Sequence, residues 1–291
     1  MSMGTIGSAV LRRLLPQRVR LEIFHARELG PARYTRSRWR RQRLGDVPQP
    51  QADAPYDIGG LAPIVLPASV LGGFQAHFVD RGHGTAELDA FKRLAASHEC
   101  FLDIGAAAGL FAAAFCALTG QRAYAFEPSP RNFARLQEVV AANPALQIES
   151  HELALGAVAG EQAVDAAHGA QFRGVADAAA GDQTMLVQTL DGFVDAHQLK
   201  PDFVKIDVEG MELEVLRGGV RTFTNSVQAL LIEVHPRLLI GGESVAEVQA
   251  LLREFGFTLL TLGFEPIADL TSYIARRRGP GARAANVVCR K

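Results

Sequence analysis

The sequence has few cysteines, a single tryptophan and no long run of apolar residues. Its three cysteines, Cys100, Cys116 and Cys289, are odd in number and far apart along the 291 residues. That spacing fits neither a disulfide framework nor a zinc knuckle, and a reducing cytoplasm is the expected location. The most apolar run, residues 110–118, is much shorter than the roughly 20 residues that a membrane-spanning helix requires. The sequence therefore predicts a globular protein without a membrane span.

Charge is nearly balanced over the whole chain, with a formal net charge of −1, but it is unevenly distributed. Arg12 and Arg13 interrupt the N-terminal apolar stretch too early for a signal peptide. We expect residues 1–55 to form a basic arm and a proline-marked linker, and residues 56–291 to form the catalytic domain. Residues 1–43 contain two acidic residues, Glu22 and Glu28, against a large excess of arginines: Arg12, Arg13, Arg18, Arg20, Arg27, Arg33, Arg36, Arg38, Arg40, Arg41 and Arg43.

Three roles are open for the basic arm. It is a solvated tail, a docking element for an acidic partner such as a second copy of this chain in a homo-oligomer, or a peripheral contact with an anionic membrane surface. Nucleic acid is not the expected partner, because the net charge gives no general argument for it. The arm also offers few aromatic side chains on which bases could stack, namely Phe24, Tyr34 and Trp39.

Beyond the linker, predicted strands and helices alternate along the chain. This pattern indicates an α/β fold with a mostly parallel sheet that has helices on both faces, and a ligand site at the carboxyl ends of the strands. Residues 156–182 interrupt the alternation and are predicted as an inserted hairpin or flap, or equally as a surface excursion. Strands are expected at 61–66, 73–79, 100–104, 122–126, 147–153, 203–206, 229–234, 257–262 and 286–289. Helices are expected at 85–96, 110–118, 130–141 and 244–255, with a further helix ending at Leu216.

The sharpest local pattern is a buried strand that ends at Asp103 and enters a turn of small residues. Gly105, Ala106 and Gly109 allow a close approach of a ligand to the backbone. Their spacing departs from the dinucleotide fingerprint, and Asp103 would repel a phosphate but favour a cationic group such as the amino group of a methionine moiety. Glu127 ends the next strand, about 20 residues further on, where a carboxylate can bind both ribose hydroxyls. Each feature alone is also common in packing, but together they favour S-adenosylmethionine over NAD.

Several runs of residues resemble the FkbM family of methyltransferases. The resemblance covers about residues 75–262 and implies a class I, Rossmann-like fold with a seven-stranded sheet, S-adenosylmethionine as methyl donor, and usually an oxygen acceptor. It implies cofactor contacts from Asp103, Gly105, Ala106, Gly109, Glu127, Pro128, Ser129, Ala154 and Asp207. One departure is Ala107, because the family commonly has asparagine there. The matching runs are 84–87, 103–109, 127–133, 154–156, 189–191, 205–210 and 233–235.

Acidic and imidazole side chains follow two further strands, whose ends should meet in one crevice. His235 is the favoured general base for removing a proton from a hydroxyl, because an unperturbed imidazole titrates near neutral pH. Asp207 is expected to orient His235 or to hold the amino group of the cofactor, and Glu209 is the third candidate catalytic residue. The competing interpretation of His235 is a structural histidine at a strand end.

A second possible mechanism for activating the acceptor hydroxyl uses side chains at the same two strand ends. Asp207, Glu233 and His235 offer oxygen and nitrogen ligands that divalent metals accept, and a metal would lower the pKa of an acceptor hydroxyl. No metal ligand is assigned, and the divalent metal stays an alternative. The expected function is O-methylation of a small molecule, natural product or glycan. The alternatives are an RNA methyltransferase that uses the basic arm, and a non-catalytic protein with a cofactor fold, which Ala107 favours.

Overall fold

The computed structural model describes residues 54–56, 64–70, 85–165, 171–173, 183–236, 238–239, 243–278 and 284–291. The predicted basic arm lies outside the described residues except at its last two positions, and the strand expected at 73–79 lies wholly outside them. The boundary between arm and catalytic domain therefore stays a prediction. Among the described residues, no helix is long and apolar enough to cross a bilayer.

Thirteen strands and eight helices are numbered here in chain order. The strands are β1 (Ala54–Tyr56), β2 (Ile64–Leu66), β3 (Cys100–Ile104), β4 (Arg122–Phe126), β5 (Ile148–His151), β6 (Ala154–Leu155), β7 (Gly160–Asp165), β8 (Gln171–Arg173), β9 (Gln183–Gln188), β10 (Phe203–Ile206), β11 (Ala229–Val234), β12 (Thr258–Leu260) and β13 (Ala285–Arg290). The helices are α1 (Thr85–Ala95), α2 (Leu110–Thr119), α3 (Pro130–Ala142), α4 (Leu190–Ala196), α5 (Glu212–Gly218), α6 (Val220–Asn225), α7 (Val245–Glu254) and α8 (Leu270–Arg278).

Seven strands form the central sheet in the order β12-β13-β11-β10-β3-β4-β5. All neighbours are parallel except at β13, which runs antiparallel to both β11 and β12. The chain runs outward from β3 to β5 and then returns to place β10 on the other side of β3. The strand order therefore reverses between β3 and β10, and a ligand crevice opens at their carboxyl ends. This arrangement confirms the predicted α/β fold and the seven-stranded, mostly parallel sheet.

One face of the central sheet carries a cluster of phenylalanines and then a row of charged residues. The ring of Phe101 on β3 lies 4.8 Å from that of Phe203 on β10 and 5.4 Å from that of Phe91 on α1, measured between centroids. Each such buried ring contributes about 1.5–3 kcal/mol to folding. Because side chains two residues apart share a face, Asp103 and Lys205 follow these rings on the same face. The aromatic cluster thus borders the charged residues on the same face of the sheet.

A second sheet with the order β6-β9-β7-β8 lies in the region that interrupts the alternation. Strands β7 and β8 pair antiparallel, which confirms the hairpin alternative for 156–182 within the described residues. The prediction from the sequence missed β1, β6, β9, α4, α6 and α8. It also set the bounds of β5 too wide, since the strand spans Ile148–His151 rather than 147–153. Helices α4 and α6 have seven and six residues, which is too short to display a helical period.

Candidate active site

The turn after β3 is compact and depends on glycine. Gly105, Ala107 and Gly109 all have positive φ, at 81°, 50° and 78°. The backbone N–H groups of Gly105 and Ala106 both donate to the carbonyl oxygen of Phe126, at 3.0 and 2.9 Å. A Cβ atom on Gly105 would lie 1.9 Å from the carbonyl oxygen of Asp207. Only glycine at position 105 therefore lets this turn meet the end of β10.

Glu127 braces the turn from the end of β4. One carboxylate oxygen accepts a hydrogen bond from the N–H of Ala107 at 2.8 Å, and the other accepts from the N–H of Ser129 at 2.9 Å. Burial raises the pKa of Glu127, and these backbone donors oppose the rise. The oxygen that contacts Ala107 keeps a further lone pair, whereas the other also accepts a long hydrogen bond, 3.5 Å, from Asn132 Nδ2. The side chain therefore still fits a hydroxyl of a ribose. At Ala107 the backbone N–H contacts Glu127, which keeps the turn tied to that carboxylate without an asparagine side chain.

Asp103 offers a buried oxygen without a partner. Its side chain is 1% exposed, and one oxygen accepts a hydrogen bond from the N–H of Ala112 at 3.0 Å. The second oxygen, Oδ1, has no hydrogen-bond partner in the described part of the chain. Burial raises the pKa of Asp103 to about 6, against the lowering effect of Lys205. A cationic group placed at this oxygen would be stabilised, which fits the predicted contact with the amino group of the cofactor.

The end of β10 carries a buried ion pair. The ammonium nitrogen of Lys205 lies 3.1 Å from Asp207 Oδ2 and 4.7 Å from the centroid of the Phe111 ring. Burial would lower the pKa of Lys205, but the carboxylates of Asp207, Glu87 and Asp103 raise it overall. Lys205 is therefore a permanent cation that fixes one oxygen of Asp207. The sequence analysis assigned no role to Glu87, which reaches this group from the first turn of α1.

His235 follows β11 and is held by a residue that the sequence analysis did not select. Its Nδ1 lies 2.6 Å from an oxygen of Glu212, while its Nε2 lies 3.9 Å from Asp207 Oδ1 and 3.6 Å from Glu209 Oε2. Asp207 lies on the Nε2 side and beyond hydrogen-bond distance, so its expected role, to orient the ring or to hold the amino group of the cofactor, stays a prediction. Glu212 contacts the ring directly.

The surroundings of His235 move its pKa away from the near-neutral value of a free imidazole. Burial lowers the pKa of His235, but the hydrogen bond and charge of Glu212, with the charges of Glu209 and Glu233, raise it overall to about 9. The ring is therefore mostly an imidazolium at neutral pH when the cofactor is not bound. To act as a base it must first lose that proton, so the local charge controls its activity.

Glu233 completes a group of possible cation ligands. Ligand atoms of Asp207, Glu233 and His235 all lie within 4.8 Å of one another. Burial and the neighbouring Asp207 raise the pKa of Glu233 to about 7, while His235 opposes the rise. One nitrogen and two carboxylates are a donor set that divalent metals accept. The geometry is therefore compatible with the metal alternative and does not select it.

The remaining predicted residues occupy three different environments. Pro128 and Ser129 are partly buried beside Glu127, in the loop that enters α3. Ala154 lies on β6 in an apolar cluster with Val187 and Met211, against the turn that follows Asp207. Glu209 is 61% exposed at the rim and adopts a positive φ of 50°. The structure thus places the cofactor residues on both sides of the switch between β3 and β10, and the catalytic candidates at the ends of β10 and β11.

The family model for the methyltransferase FkbM domain matches residues 103–259, more than half of the chain. The chain belongs to the FkbM methyltransferase family. The seven-stranded sheet and this membership together show the class I, Rossmann-like methyltransferase fold. The match begins at Asp103 and includes every candidate site residue named above except Glu87.

A relative and two solved structures show how far the likeness extends. Hexuronic acid methyltransferase AglP of Haloferax volcanii is 32% identical over 139 residues, which are 46% of this chain and 54% of that protein. This chain thus spans about half the length of that relative. A ribosomal protein L11 methylase from Lactobacillus delbrueckii is 13% identical, with a TM-score of 0.41 and coverage of 71% of this chain and 76% of that one. A precorrin-6y C5,15-methyltransferase from Geobacter metallireducens is 12% identical, with a TM-score of 0.40 and coverage of 70% of this chain and 87% of that one.

Proposed function

We propose that this FkbM-family protein transfers the methyl group of S-adenosylmethionine to a hydroxyl oxygen of a sugar, in a glycan or a natural product. The observation that carries the proposal is the position of His235 Nε2. It faces Asp207 at the strand ends, and no carboxylate oxygen of the described residues lies within direct hydrogen-bond distance of it. The name of the Haloferax volcanii relative, a hexuronic acid methyltransferase, supports a sugar acceptor.

The residues that would hold the cofactor lie around the turn after β3. Glu127 would accept hydrogen bonds from the ribose hydroxyls, and the free oxygen of Asp103 would face the amino group. The turn between Gly105 and Gly109 would provide the surface for close backbone contact. When bound, S-adenosylmethionine supplies a methyl group on a positively charged sulfur, open to in-line displacement.

The side chains at the ends of β10 and β11 would then act on the acceptor. Asp207 has one oxygen fixed by Lys205, and its Oδ1 is available to accept a hydrogen bond from a sugar hydroxyl. His235 takes the hydroxyl proton on Nε2 as the oxygen forms its bond to the methyl carbon. A positioned base of this kind contributes about 10²–10⁴-fold to the rate. A bound sulfonium would also lower the pKa of His235, because two neighbouring positive charges repel each other.

The test follows a labelled methyl group. Full-length protein is incubated with methyl-labelled S-adenosylmethionine and glucuronic acid, galacturonic acid, glucose or a short RNA transcript. We expect the label in an alkali-stable methyl ether of a sugar, and a loss of about 10²–10⁴-fold in rate for His235→Asn. An alkali-labile methyl ester, label only in RNA, or no label in any sugar would contradict the proposal. Glu149→Gln, on the edge strand β5, is the matched surface control.

A metal-assisted version of this reaction is the second candidate, favoured by the cluster of Asp207, Glu233 and His235. With His235 as base, activity survives EDTA and collapses in His235→Asn. If a metal activates the hydroxyl, EDTA removes activity and added magnesium restores it. The two treatments together assign the proton removal to the side chain or to the metal.

A further inference from the structure

Glu212 is a fully buried carboxylate directly behind His235. It lies in the first turn of α5 with 0% of its surface exposed. Its Oε1 lies 2.6 Å from His235 Nδ1 and accepts a hydrogen bond from the N–H of Gly210 at 3.1 Å, and its Oε2 has no partner among the described residues. An ionised carboxylate in such a place is costly unless it is paired. Its main partner is the imidazole ring, so the two side chains act as one unit.

The backbone around Glu212 is built to hold it in place. The turn between β10 and α5 has positive φ at Glu209, 50°, and at Gly210, 107°. A Cβ atom on Gly210 would lie 2.2 Å from the carbonyl oxygen of Leu238, so this turn packs against the segment just after His235. Glu209 thus adopts the left-handed backbone conformation, which is strained for a residue other than glycine. Such strain is found preferentially at functional sites. The turn therefore joins the start of α5 to the end of β11.

The two nitrogens of the ring have opposite environments. The Nδ1 side is anchored by a short contact with a buried carboxyl group, whereas the nearest carboxylate oxygens that the described residues bring to Nε2 lie at 3.6 and 3.9 Å. A carboxylate accepts and cannot donate when it is ionised, so Glu212 keeps a proton on Nδ1. In the neutral ring the lone pair must then lie on Nε2, which faces the strand ends and the cofactor turn.

We propose that Glu212 is the positioning residue for His235 in methyl transfer, an inference that rests on the proposed function. Glu212 selects the tautomer in which Nε2 accepts the proton of the acceptor hydroxyl. As that proton moves to Nε2, the oxygen–carbon bond forms, and the carbon–sulfur bond breaks with its electron pair remaining on sulfur. The product ring is an imidazolium, which the charge of Glu212 stabilises. Glu212 touches neither the acceptor nor the methyl group.

A purely structural role would give a different result. In that case Glu212 only anchors the N–H of Gly210, and its replacement would lower stability without changing the ring. Three variants separate the two roles. Glu212→Gln keeps the shape and removes the charge, while Glu212→Asp keeps the charge on a shorter side chain. Glu214→Gln is the matched control on the same helix, since Glu214 pairs with the exposed Arg217.

The first measurement observes the ring directly. Protein labelled with ¹⁵N-histidine and saturated with S-adenosylhomocysteine is studied by proton–nitrogen correlation, at a pH above the midpoint of the His235 titration. His235→Asn assigns the signals. We expect a downfield Nδ1 proton and an unprotonated Nε2 in the natural protein and in Glu214→Gln. In Glu212→Gln the Nδ1 signal moves upfield and the Nε2-protonated tautomer appears, and Glu212→Asp restores the natural pattern at least in part.

The second measurement separates binding from chemistry. With the sugar acceptor identified by the labelled-methyl assay, we expect kcat to fall about 10–100-fold in Glu212→Gln, a typical effect of losing the partner that orients a functional histidine. The KM values for both substrates and the affinity for S-adenosylhomocysteine change by less than about threefold, since ground-state binding does not involve Glu212. Glu212→Asp recovers part of kcat.

Two outcomes overturn the inference. One is a neutral ring that carries its proton on Nε2 in the natural protein, and the other is a tautomer and kcat left unchanged by Glu212→Gln. A failure of the labelled-methyl assay would instead overturn the proposed function, and the ring signals would still report the contact between Glu212 and His235. The two failures are therefore distinguishable.

Discussion

At the scale of single residues, the protonation of His235 determines when the site is active. Its pKa is raised to about 9, chiefly because Glu212, Glu209 and Glu233 outweigh the effect of burial. A base must be deprotonated, so kcat/KM for S-adenosylmethionine should rise about tenfold per pH unit below that value and level off above it. The rise of kcat with pH should occur at lower pH than the rise of kcat/KM, because the positively charged sulfonium in the complex disfavours the imidazolium form of His235.

The check is an initial-rate profile between about pH 6 and 10, with stability measured in parallel. A flat profile, or one that falls as the pH rises, would exclude His235 as the base. Glu214→Gln should give the same profile as the natural protein, since Glu214 lies on α5 away from the ring.

Glu127 gives a second prediction at this scale. Glu127→Ala removes the predicted ribose contact and also the acceptor for the N–H groups of Ala107 and Ser129. We expect affinity for S-adenosylhomocysteine to weaken by at least about 1–3 kcal/mol, the cost of lost charge-assisted hydrogen bonds. Titration calorimetry measures it, with Glu149→Ala as control. Unchanged affinity would refute the ribose assignment.

At the scale of elements, the sequence predicted the long strands and the cofactor turn but not the partner of the histidine. A turn such as 103–109 carries its own signal, because Asp103, Gly105 and Gly109 are close in sequence. Glu212 has no such signal, since it meets His235 across 23 positions and only after β11 pairs beside β10. Strand β9 and the short helices α4 and α6 were not predicted for a related reason, because tertiary packing rather than local periodicity defines them.

The run Thr189-Leu190-Asp191 shows how a family motif can be structural. Thr189 caps α4 by accepting from the N–H of Gly192 at 3.1 Å. Asp191 accepts from the N–H groups of Arg221 and Thr222, at 3.0 and 2.9 Å, and so joins α4 to the start of α6. The first contact caps α4 itself and the second joins two helices, and neither involves the candidate site residues.

We therefore expect Asp191→Ala to destabilise the protein by about 1–3 kcal/mol, because it leaves the N–H and the hydroxyl of the buried Thr222 without an acceptor. Affinity for S-adenosylhomocysteine in the folded variant should not change. Denaturant unfolding and calorimetry measure the two quantities. Asp195→Ala is the matched control, since its contact with Arg221 is exposed. A large loss of affinity without a loss of stability would place Asp191 in the site after all.

At the scale of the whole molecule, the family match and the basic arm occupy separate parts of the chain. The match covers 103–259, whereas the arm is predicted at 1–55. Deleting residues 1–45 should leave the affinity for S-adenosylhomocysteine unchanged, because all candidate cofactor residues come later in the chain. Calorimetry tests this, and a truncated protein that cannot fold or bind would place the arm within the catalytic domain.

Two further measurements on the truncated protein separate the roles of the arm. A change in mass by light scattering would favour docking between copies. Salt-sensitive binding to anionic vesicles that disappears on deletion would favour a membrane contact. If deletion changes neither the mass nor the binding to vesicles, the arm is a solvated tail.

The antiparallel strand β13 has a consequence for how the molecule is made. It lies between β11 and β12, yet it is synthesised after both of them. Until it emerges from the ribosome, β12 has no neighbour in the central sheet and β11 presents an open edge. Unpaired strand edges are sites of aggregation and of capture by other chains. In a nascent chain, the edge of β11, the strand that leads to His235, is therefore unpaired. The insertion of β13 between β11 and β12 completes the central sheet.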